Sequence, residues 1–249
     1  MSGADRLRLD EAMVARGLAP SRSRARDMIL RGAVSVGDRA EMKPARRIDP
    51  EQPIAVSDPA SRYVSRAALK LIAGLDAFRF DPAGLVSLDL GVSTGGFTQV
   101  LVERGAAHVV AVDVGHGELD RALADDPRVT LLEKLNARDL RAEHLGGRRI
   151  EAVVADVSFI SLRLALPPAL SLAASGAWGV FLVKPQFEVG RAALGKDGVV
   201  RDAAAARRAA EDIAAWLRNE HGWSVAGLLP SPIAGGAGNR EFLLGARKG

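Results

Sequence analysis

From about residue 63 onward, short apolar runs alternate with stretches that have a helical pattern. Seven runs have the length of strands, at residues 86–90, 108–113, 128–132, 152–156, 178–184, 225–228 and 241–244. Helical patterns lie between them, including residues 65–78 and the alanine-rich residues 202–218. Strands that alternate with helices predict right-handed crossovers and a mostly parallel sheet with helices on both faces.

The first quarter of the chain predicts shorter elements. Residues 7–17 read as a helix that ends at Gly17, and Ser21 is a candidate N-cap for a second helix over residues 22–31. Residues 34–36 and 54–56 have the pattern of short strands. Residues 57–62 form a plausible linker punctuated by Pro59, so we expect a small α+β domain at 1–59 and a larger α/β domain at 60–249.

One segment is long enough to span a membrane, because residues 164–183 carry no charge. The segment is interrupted at several points, by Pro167, Pro168, Ser171, Ser175, Gly176 and Gly179. These residues favour a helix that opens at the prolines, a break, and then a buried strand. The first residues lack the apolar core of a signal peptide, so we expect no membrane association and a cytoplasmic protein.

Composition narrows the chemistry. The 249 residues include no cysteine, which excludes disulfides, thiolate metal ligands and a cysteine nucleophile. The histidines are too far apart to form a local ligand pair, so no metal is expected; they are His108, His116, His144 and His221.

Positive charge is concentrated at the start of the chain. Residues 1–70 hold 14 Lys and Arg against 9 Asp and Glu, whereas the remainder holds 20 against 21. This asymmetry indicates a nucleic-acid partner, although a solvated basic face without a partner is the alternative. The candidate phosphate contacts are Arg6, Arg22, Arg24, Arg26, Arg31 and Arg66.

A glycine-rich loop follows the first strand of the larger domain, at residues 91–97. Its glycines let a ligand approach the backbone, and the amides that open the next helix attract an anionic group. Asp113 ends the second strand, where a carboxylate can bind a ribose diol. Asp89 is unfavourable beside a pyrophosphate but suits an amino group or a sulfonium. This favours S-adenosylmethionine over a nicotinamide cofactor, with a purely structural turn as the alternative.

Two further polar residues end strands, Asp156 and Lys184. The carboxyl ends of parallel strands share one edge of the sheet, so we expect these two side chains to meet beside the ligand crevice. A structural ion pair is the alternative. Lys70 and Glu241 read as ordinary surface charges at this point.

Six motifs together resemble the TlyA, or haemolysin-A-like, ribosomal RNA methyltransferases over nearly the whole chain. They lie at residues 63–71, 91–98, 113–119, 156–161, 183–190 and 238–242. The resemblance implies an S4-like RNA-binding domain followed by an FtsJ-type domain with the Rossmann-like, seven-stranded sheet of class I methyltransferases. It also implies S-adenosylmethionine-dependent 2′-O-methylation of cytidine in 16S or 23S rRNA within a ribosomal subunit. The sequence departs from the family at Ala67, Ala68, Val92 and Gln99.

The resemblance also assigns residues. Its catalytic set falls on Lys70, Asp156, Lys184 and Glu241. The cofactor residues that it suggests are Asp89, Gly91, Ser93, Thr94, Gly95, Gly96, Phe97, Asp113, Val114, Asn136 and Asp156. We expect a monomer. The alternatives are an inactive RNA-binding protein, a membrane-active haemolysin and a nicotinamide-dependent oxidoreductase; the methylated rRNA and nucleotide stay open.

Overall fold

The computed structural model describes residues 6–190, 194–195, 197–235 and 238–249. The chain divides into two compact units, Met1–Arg62 and Tyr63–Gly249. The division falls at the C-terminal end of the linker expected at residues 57–62.

The first unit contains two helices and short strands. Its elements are β1 (Leu7–Arg8), α1 (Leu9–Ala15), α2 (Arg22–Leu30), β2 (Val34–Val36), β3 (Arg39–Ala40), β4 (Arg47–Ile48) and β5 (Ile54–Val56). The N-cap of α2 is confirmed, because Ser21 Oγ accepts a hydrogen bond from the backbone N–H of Arg24 at 3.2 Å. The helix expected from residue 7 begins at Leu9, since residues 7 and 8 pair with β4 instead. Strands β3, β2 and β5 form a small antiparallel sheet.

The second unit alternates strands and helices. Its elements are α3 (Ala68–Phe78), β6 (Val86–Leu90), α4 (Gly96–Glu103), β7 (His108–Val112), α5 (Arg121–Ala124), β8 (Val129–Leu132), β9 (Ile150–Ala155), α6 (Leu162–Ala165), α7 (Pro167–Leu172), β10 (Ala173–Val183), α8 (Pro185–Glu188), α9 (Ala203–His221), β11 (Trp223–Pro230) and β12 (Phe242–Lys248). Two 3₁₀ turns, Ala137–Asp139 and Ala142–Leu145, lie between β8 and β9.

The seven strands form one sheet in the order β11-β12-β10-β9-β6-β7-β8. Strands β10, β9, β6, β7 and β8 are parallel, and β12 is antiparallel to both of its neighbours. This confirms the predicted mostly parallel, seven-stranded sheet. Because β6 lies between β7 and β9, successive crossovers leave it on opposite sides, which opens a crevice at its carboxyl end.

Alternate residues of the strands pack into two apolar layers. On β9, Val153 and Ala155 face the layer formed with α6, α7 and α9. Ala152 and Val154 face the opposite layer, which includes α3 and α4. Each large aliphatic side chain buried in these layers stabilises the fold by roughly 1.5–3 kcal/mol. The packed sheet therefore holds the ends of the loops at its edge in fixed positions.

Several element boundaries differ from the sequence prediction, and two of them have a local cause. Strand β10 begins at Ala173 rather than Trp178, and its register with β9 is irregular between those residues. Helix α3 begins at Ala68, because Ser65 forms a turn in which its Oγ accepts a hydrogen bond from the N–H of Ala67. In the part of the chain that the structure describes, no helix is both long and apolar enough to cross a bilayer.

Candidate active site

The glycine-rich loop joins β6 to α4 at the crevice. Gly91 has a φ of +83°, and a Cβ on it would lie 2.9 Å from the carbonyl oxygen of Asp156. Only glycine combines this conformation with so close an approach. The loop after β6 therefore lies directly against the loop after β9.

A second set of contacts fixes the loop to the end of β7. The carboxylate of Asp113 accepts hydrogen bonds from the backbone N–H of Ser93 and that of Gly115, both at 2.7 Å. Ser93 has a φ of +47° and donates its Oγ–H to Glu118 at 3.2 Å. These bonds orient Asp113 towards the crevice before any ligand arrives.

A cavity of about 850 Å³ occupies the carboxyl edge of the sheet. Its walls come from the loops after β6, β7, β8 and β9, and include Asp113, Asn136 and Asp156. A smaller cavity of about 180 Å³ reaches Lys184. The two cavities share Gly91, Ser93, Asp156 and Ser158, so they are adjacent parts of one site.

The structure separates the predicted cofactor residues into three groups. The larger cavity is lined by Gly91, Ser93, Asp113, Val114, Asn136 and Asp156. Gly96 and Phe97 line the smaller cavity, although the Phe97 ring also packs in the core. The remaining three, Asp89, Thr94 and Gly95, line neither cavity. Thr94 is exposed, and its carbonyl accepts a hydrogen bond from the N–H of Asp120.

Asp89 lies beneath the loop rather than in the cavity. It is fully buried, and its Oδ2 accepts a hydrogen bond from Thr98 Oγ1 at 2.7 Å. Its Oδ1 has no hydrogen-bond partner among the described residues. Burial raises the pKa of this carboxyl to about 7. Asp89 lines neither cavity, because this position on β6 faces the interior.

Lys184 and Asp156 meet at the site, as the sequence predicted. The ammonium Nζ of Lys184 lies 2.6 Å from Asp156 Oδ1. The same Nζ donates a hydrogen bond to Ser158 Oγ at 2.7 Å and lies 3.4 Å from the carbonyl oxygen of Asp156. Lys184 is 8% exposed, so a charged pair is held at the wall of the smaller cavity.

The other two residues of the implied catalytic set form a pair of their own. Lys70 Nζ on α3 donates to Glu241 Oε2, just before β12, at 2.6 Å. Both side chains are buried, and neither lines a cavity described above. Within the described ranges, no hydrogen bond or ion pair connects this pair with Lys184 or Asp156. The structure thus divides the implied set of four into two pairs.

Sequence reasoning missed several residues of the larger cavity. Phe159 is 92% exposed with a φ of +64°, and its ring lies 5.4 Å from that of Phe187. Ser158, Glu118 and Leu164 also line the cavity. For Ser158 and Phe159 the signal that could have found them was their position soon after the strand-end Asp156, but a sequence does not show that an apolar side chain is exposed.

The candidate RNA-binding arginines differ in their surroundings. Within the first unit, Arg6 pairs with Asp49, and Arg22 contacts Asp10 and Glu11. Arg31 is half-buried and pairs with both Asp27 and Asp58, which makes it a structural residue. Arg24 contacts only a backbone carbonyl in the described part of this unit, and Arg26 is exposed. Arg66 belongs to the second unit and is half-buried.

Among the described residues, no group of three or more histidine or acidic side chains is arranged to hold a metal ion.

Comparison with protein families and known proteins gives concordant matches. The FtsJ-like methyltransferase model matches residues 63–248, and the S4 domain model matches residues 7–54. The chain is 46% identical to the 16S/23S rRNA (cytidine-2′-O)-methyltransferase TlyA of Mycobacterium tuberculosis, with 98% of this chain and 91% of that protein covered. It is 35% identical to Hemolysin A of Brachyspira hyodysenteriae, with coverage of 95% and 98%.

A solved structure supports the same assignment. A protein described as a candidate hemolysin from Streptococcus thermophilus superposes with a TM-score of 0.76 and 37% identity, over 98% of this chain and 89% of that one. The methyltransferase model covers the unit that holds the cavity and both charged pairs, and the S4 model covers the arginine-rich unit. The chain is therefore a member of the FtsJ-like methyltransferase family that carries an S4 domain ahead of its catalytic unit.

Proposed function

We propose that the protein is an S-adenosylmethionine-dependent 2′-O-methyltransferase that acts on cytidine in ribosomal RNA. One observation carries the proposal: the Lys184–Asp156 pair, at 2.6 Å, lies at the wall of a cavity that begins at the glycine-rich loop. The name of the M. tuberculosis relative, a 16S/23S rRNA (cytidine-2′-O)-methyltransferase, supplies the substrate class and the nucleoside.

The residues of the larger cavity fit S-adenosylmethionine. The loop at Gly91 and Ser93 offers backbone groups to its methionine end, and Asp113 can accept from its ribose hydroxyls. Asn136 and Val114 lie on the same walls, where an adenine ring would find a polar and an apolar neighbour. Asp89 supports the loop from below through Thr98 rather than by touching the ligand.

The cofactor supplies a methyl group on a sulfonium: the ribose 2′-oxygen forms the new bond to carbon, and the carbon–sulfur bond breaks with its electron pair on sulfur. Lys184 donates a hydrogen bond to the 2′-oxygen and stabilises the negative charge that develops there. Asp156 holds Lys184 and takes up the hydroxyl proton, which then passes to water. Alignment of the two substrates supplies a further share of the rate.

The pair formed by Lys70 and Glu241 has a supporting role in this account. It connects α3 with the start of β12 from the buried side of the unit. An unpaired charge in such a place is strongly destabilising, so each partner requires the other.

The S4 domain supplies a basic surface for structured RNA. Among the candidate arginines of this domain, Arg24 and Arg26 on α2 are the two for which the described residues include no carboxylate within ion-pair distance. Contacts with phosphates release counterions, so binding weakens as salt increases. We place the reaction on a ribosomal subunit in the cytoplasm, carried out by a monomer.

The test is to map ribose methylation on ribosomes from cells with and without this protein. We expect one or more 2′-O-methylcytidines that are present only with the protein and are restored by the purified enzyme and S-adenosylmethionine. Identical maps, with no transfer to either purified subunit, would refute the proposal.

A further inference from the structure

The ammonium of Lys184 has an acceptor that the catalytic set leaves out. Three contacts surround Nζ: Asp156 Oδ1 at 2.6 Å, Ser158 Oγ at 2.7 Å and the carbonyl oxygen of Asp156 at 3.4 Å. A lysine ammonium has three N–H donors. Nζ donates hydrogen bonds to Ser158 Oγ and, at the longer distance, to the carbonyl oxygen of Asp156, whereas Asp156 Oδ1 lies against it as an ion pair without hydrogen-bond geometry. Two donors are therefore engaged, and the third is left for the cavity.

Ser158 is placed to control the direction of that third donor. It comes from the loop after β9, lines both cavities and is exposed to them. Among the described residues its hydroxyl has no hydrogen bond other than the one from Lys184. It caps no helix, unlike Ser161 in the same loop, which caps α6 and donates to Glu188. The fold itself therefore has little need of the Ser158 hydroxyl.

A lysine side chain has a flexible four-carbon stem, and its charged end rotates freely when held at one point. A single carboxylate oxygen fixes the position of Nζ but not the directions of its N–H groups. A second acceptor on a different residue fixes those directions as well. The Ser158 contact supplies that second point, next to the cavity where the reacting oxygen must lie.

We propose that Ser158 is a positioning residue for methyl transfer: with the backbone carbonyl of Asp156 it takes two of the three N–H donors of Lys184 and so aims the third at the ribose 2′-oxygen. The inference rests on the proposed function and adds a residue that the catalytic set of four does not contain. Ser158 acts through Lys184 and takes no proton from the substrate. Its contribution is therefore expected in the transfer step and not in the binding of either substrate.

Two variants of Ser158 and one control test this role on purified full-length protein with ribosomal subunits and S-adenosylmethionine. Ser158→Ala removes the acceptor, and Ser158→Thr keeps a hydroxyl. Ser161→Ala removes a helix cap in the same loop. We expect Ser158→Ala to lower kcat by about 10- to 100-fold, the scale of a misplaced catalytic group. KM for the subunit and the Kd for S-adenosylmethionine should stay within about twofold, and Ser158→Thr should recover most of kcat.

The split between kcat and KM, together with recovery of kcat in Ser158→Thr, separates positioning from a structural role. Ser161→Ala should lower the melting temperature without a selective loss of kcat, whereas Ser158→Ala should melt like the wild type.

The outcomes separate this inference from the function on which it rests. If the wild type is active and Ser158→Ala matches it in kcat, the role of Ser158 is overturned and the function stands. A loss confined to KM or to donor affinity, or an equal loss in Ser158→Thr, also overturns it. If the wild type transfers no methyl group to either subunit, the proposed function fails and this role fails with it.

Discussion

Two lysine–carboxylate pairs in the catalytic unit have the same separation and different surroundings. Lys184 and Asp156 lie 2.6 Å apart, and so do Lys70 and Glu241. The first pair lines a cavity and has a second acceptor in Ser158, whereas the second pair is buried away from both cavities. Residue type and distance therefore do not decide the role of a charged pair. Access to the reacting atoms does.

The largest effect is expected at the pair that faces the cavity. Lys184→Ala removes the donor aimed at the 2′-oxygen and should lower the methyl-transfer rate by about 10²–10³-fold, the usual cost of removing a transition-state donor. The affinity for S-adenosylmethionine, measured by calorimetry, should change little because Lys184 lies outside the walls of the larger cavity. Lys134→Ala, at an exposed lysine of the same unit, serves as the matched control. If Lys184→Ala transferred methyl groups at the wild-type rate, Lys184 would have no part in the transfer step.

The buried pair should show its effect in stability. Lys70→Met and Glu241→Leu each leave one buried charge without a partner, which costs roughly 3–5 kcal/mol of unfolding free energy. The double variant removes both charges and should recover much of that loss. Urea denaturation of the three variants measures it. A Lys70→Met protein with wild-type stability and no activity would instead place Lys70 in the chemistry.

A third buried group, Asp89, forms no ion pair with any described residue, and burial raises its pKa to about 7. The folded protein therefore keeps a proton on Asp89 that the unfolded chain releases near pH 4. Because of this difference, the free energy of unfolding falls as pH rises from about 4 to about 7, and Asp89 has no further effect above that range. Asp89→Asn mimics the protonated form and removes that dependence. Its stability relative to the wild type should rise by about 3 kcal/mol between pH 5 and pH 8. Parallel pH dependences of unfolding in the two proteins would show that Asp89 is ionised in the fold.

The arginines of the S4 domain also divide into residues that can contact a ligand and a residue that supports the fold. Arg24→Ala with Arg26→Ala should weaken RNA binding and reduce the salt slope by about two, one for each phosphate that is no longer neutralised. Arg31→Ala should mainly lower stability, because it leaves Asp58 buried without its guanidinium. Filter binding at several salt concentrations and thermal melting measure the two effects. If both proteins lost the same RNA affinity and kept the stability of the wild type, Arg31 would contact RNA as Arg24 and Arg26 do, and this prediction would be wrong.

The sheet was predictable because the strands are continuous apolar runs separated by helical patterns. The strands missed in the S4 domain, β1, β3 and β4, are two residues long and leave no periodicity to detect. The early start of β10 was hidden by Ser175 and Gly176, which indicate a break in sequence. Gly176 has a φ of +80° within the strand, where the pairing with β9 is irregular.

The site was partly predictable for a related reason. Asp156 and Lys184 end neighbouring parallel strands, so topology alone brings them together. The contact between Lys70 and Glu241 spans 171 residues, and only the resemblance to a known family suggested it. Asp89 was assigned to the ligand because sequence gives its place on the strand but not the face that it occupies. Ser158 and Phe159 were missed because exposure within a cavity is a property of the folded loops.

The most direct test of this account is nucleoside mass spectrometry of ribosomal subunits incubated with S-adenosylmethionine and either the wild type or Lys184→Ala. The account predicts 2′-O-methylcytidine with the wild type and none above background with the variant. Methylation of a base instead of a ribose, or equal amounts of 2′-O-methylcytidine with both proteins, would contradict it.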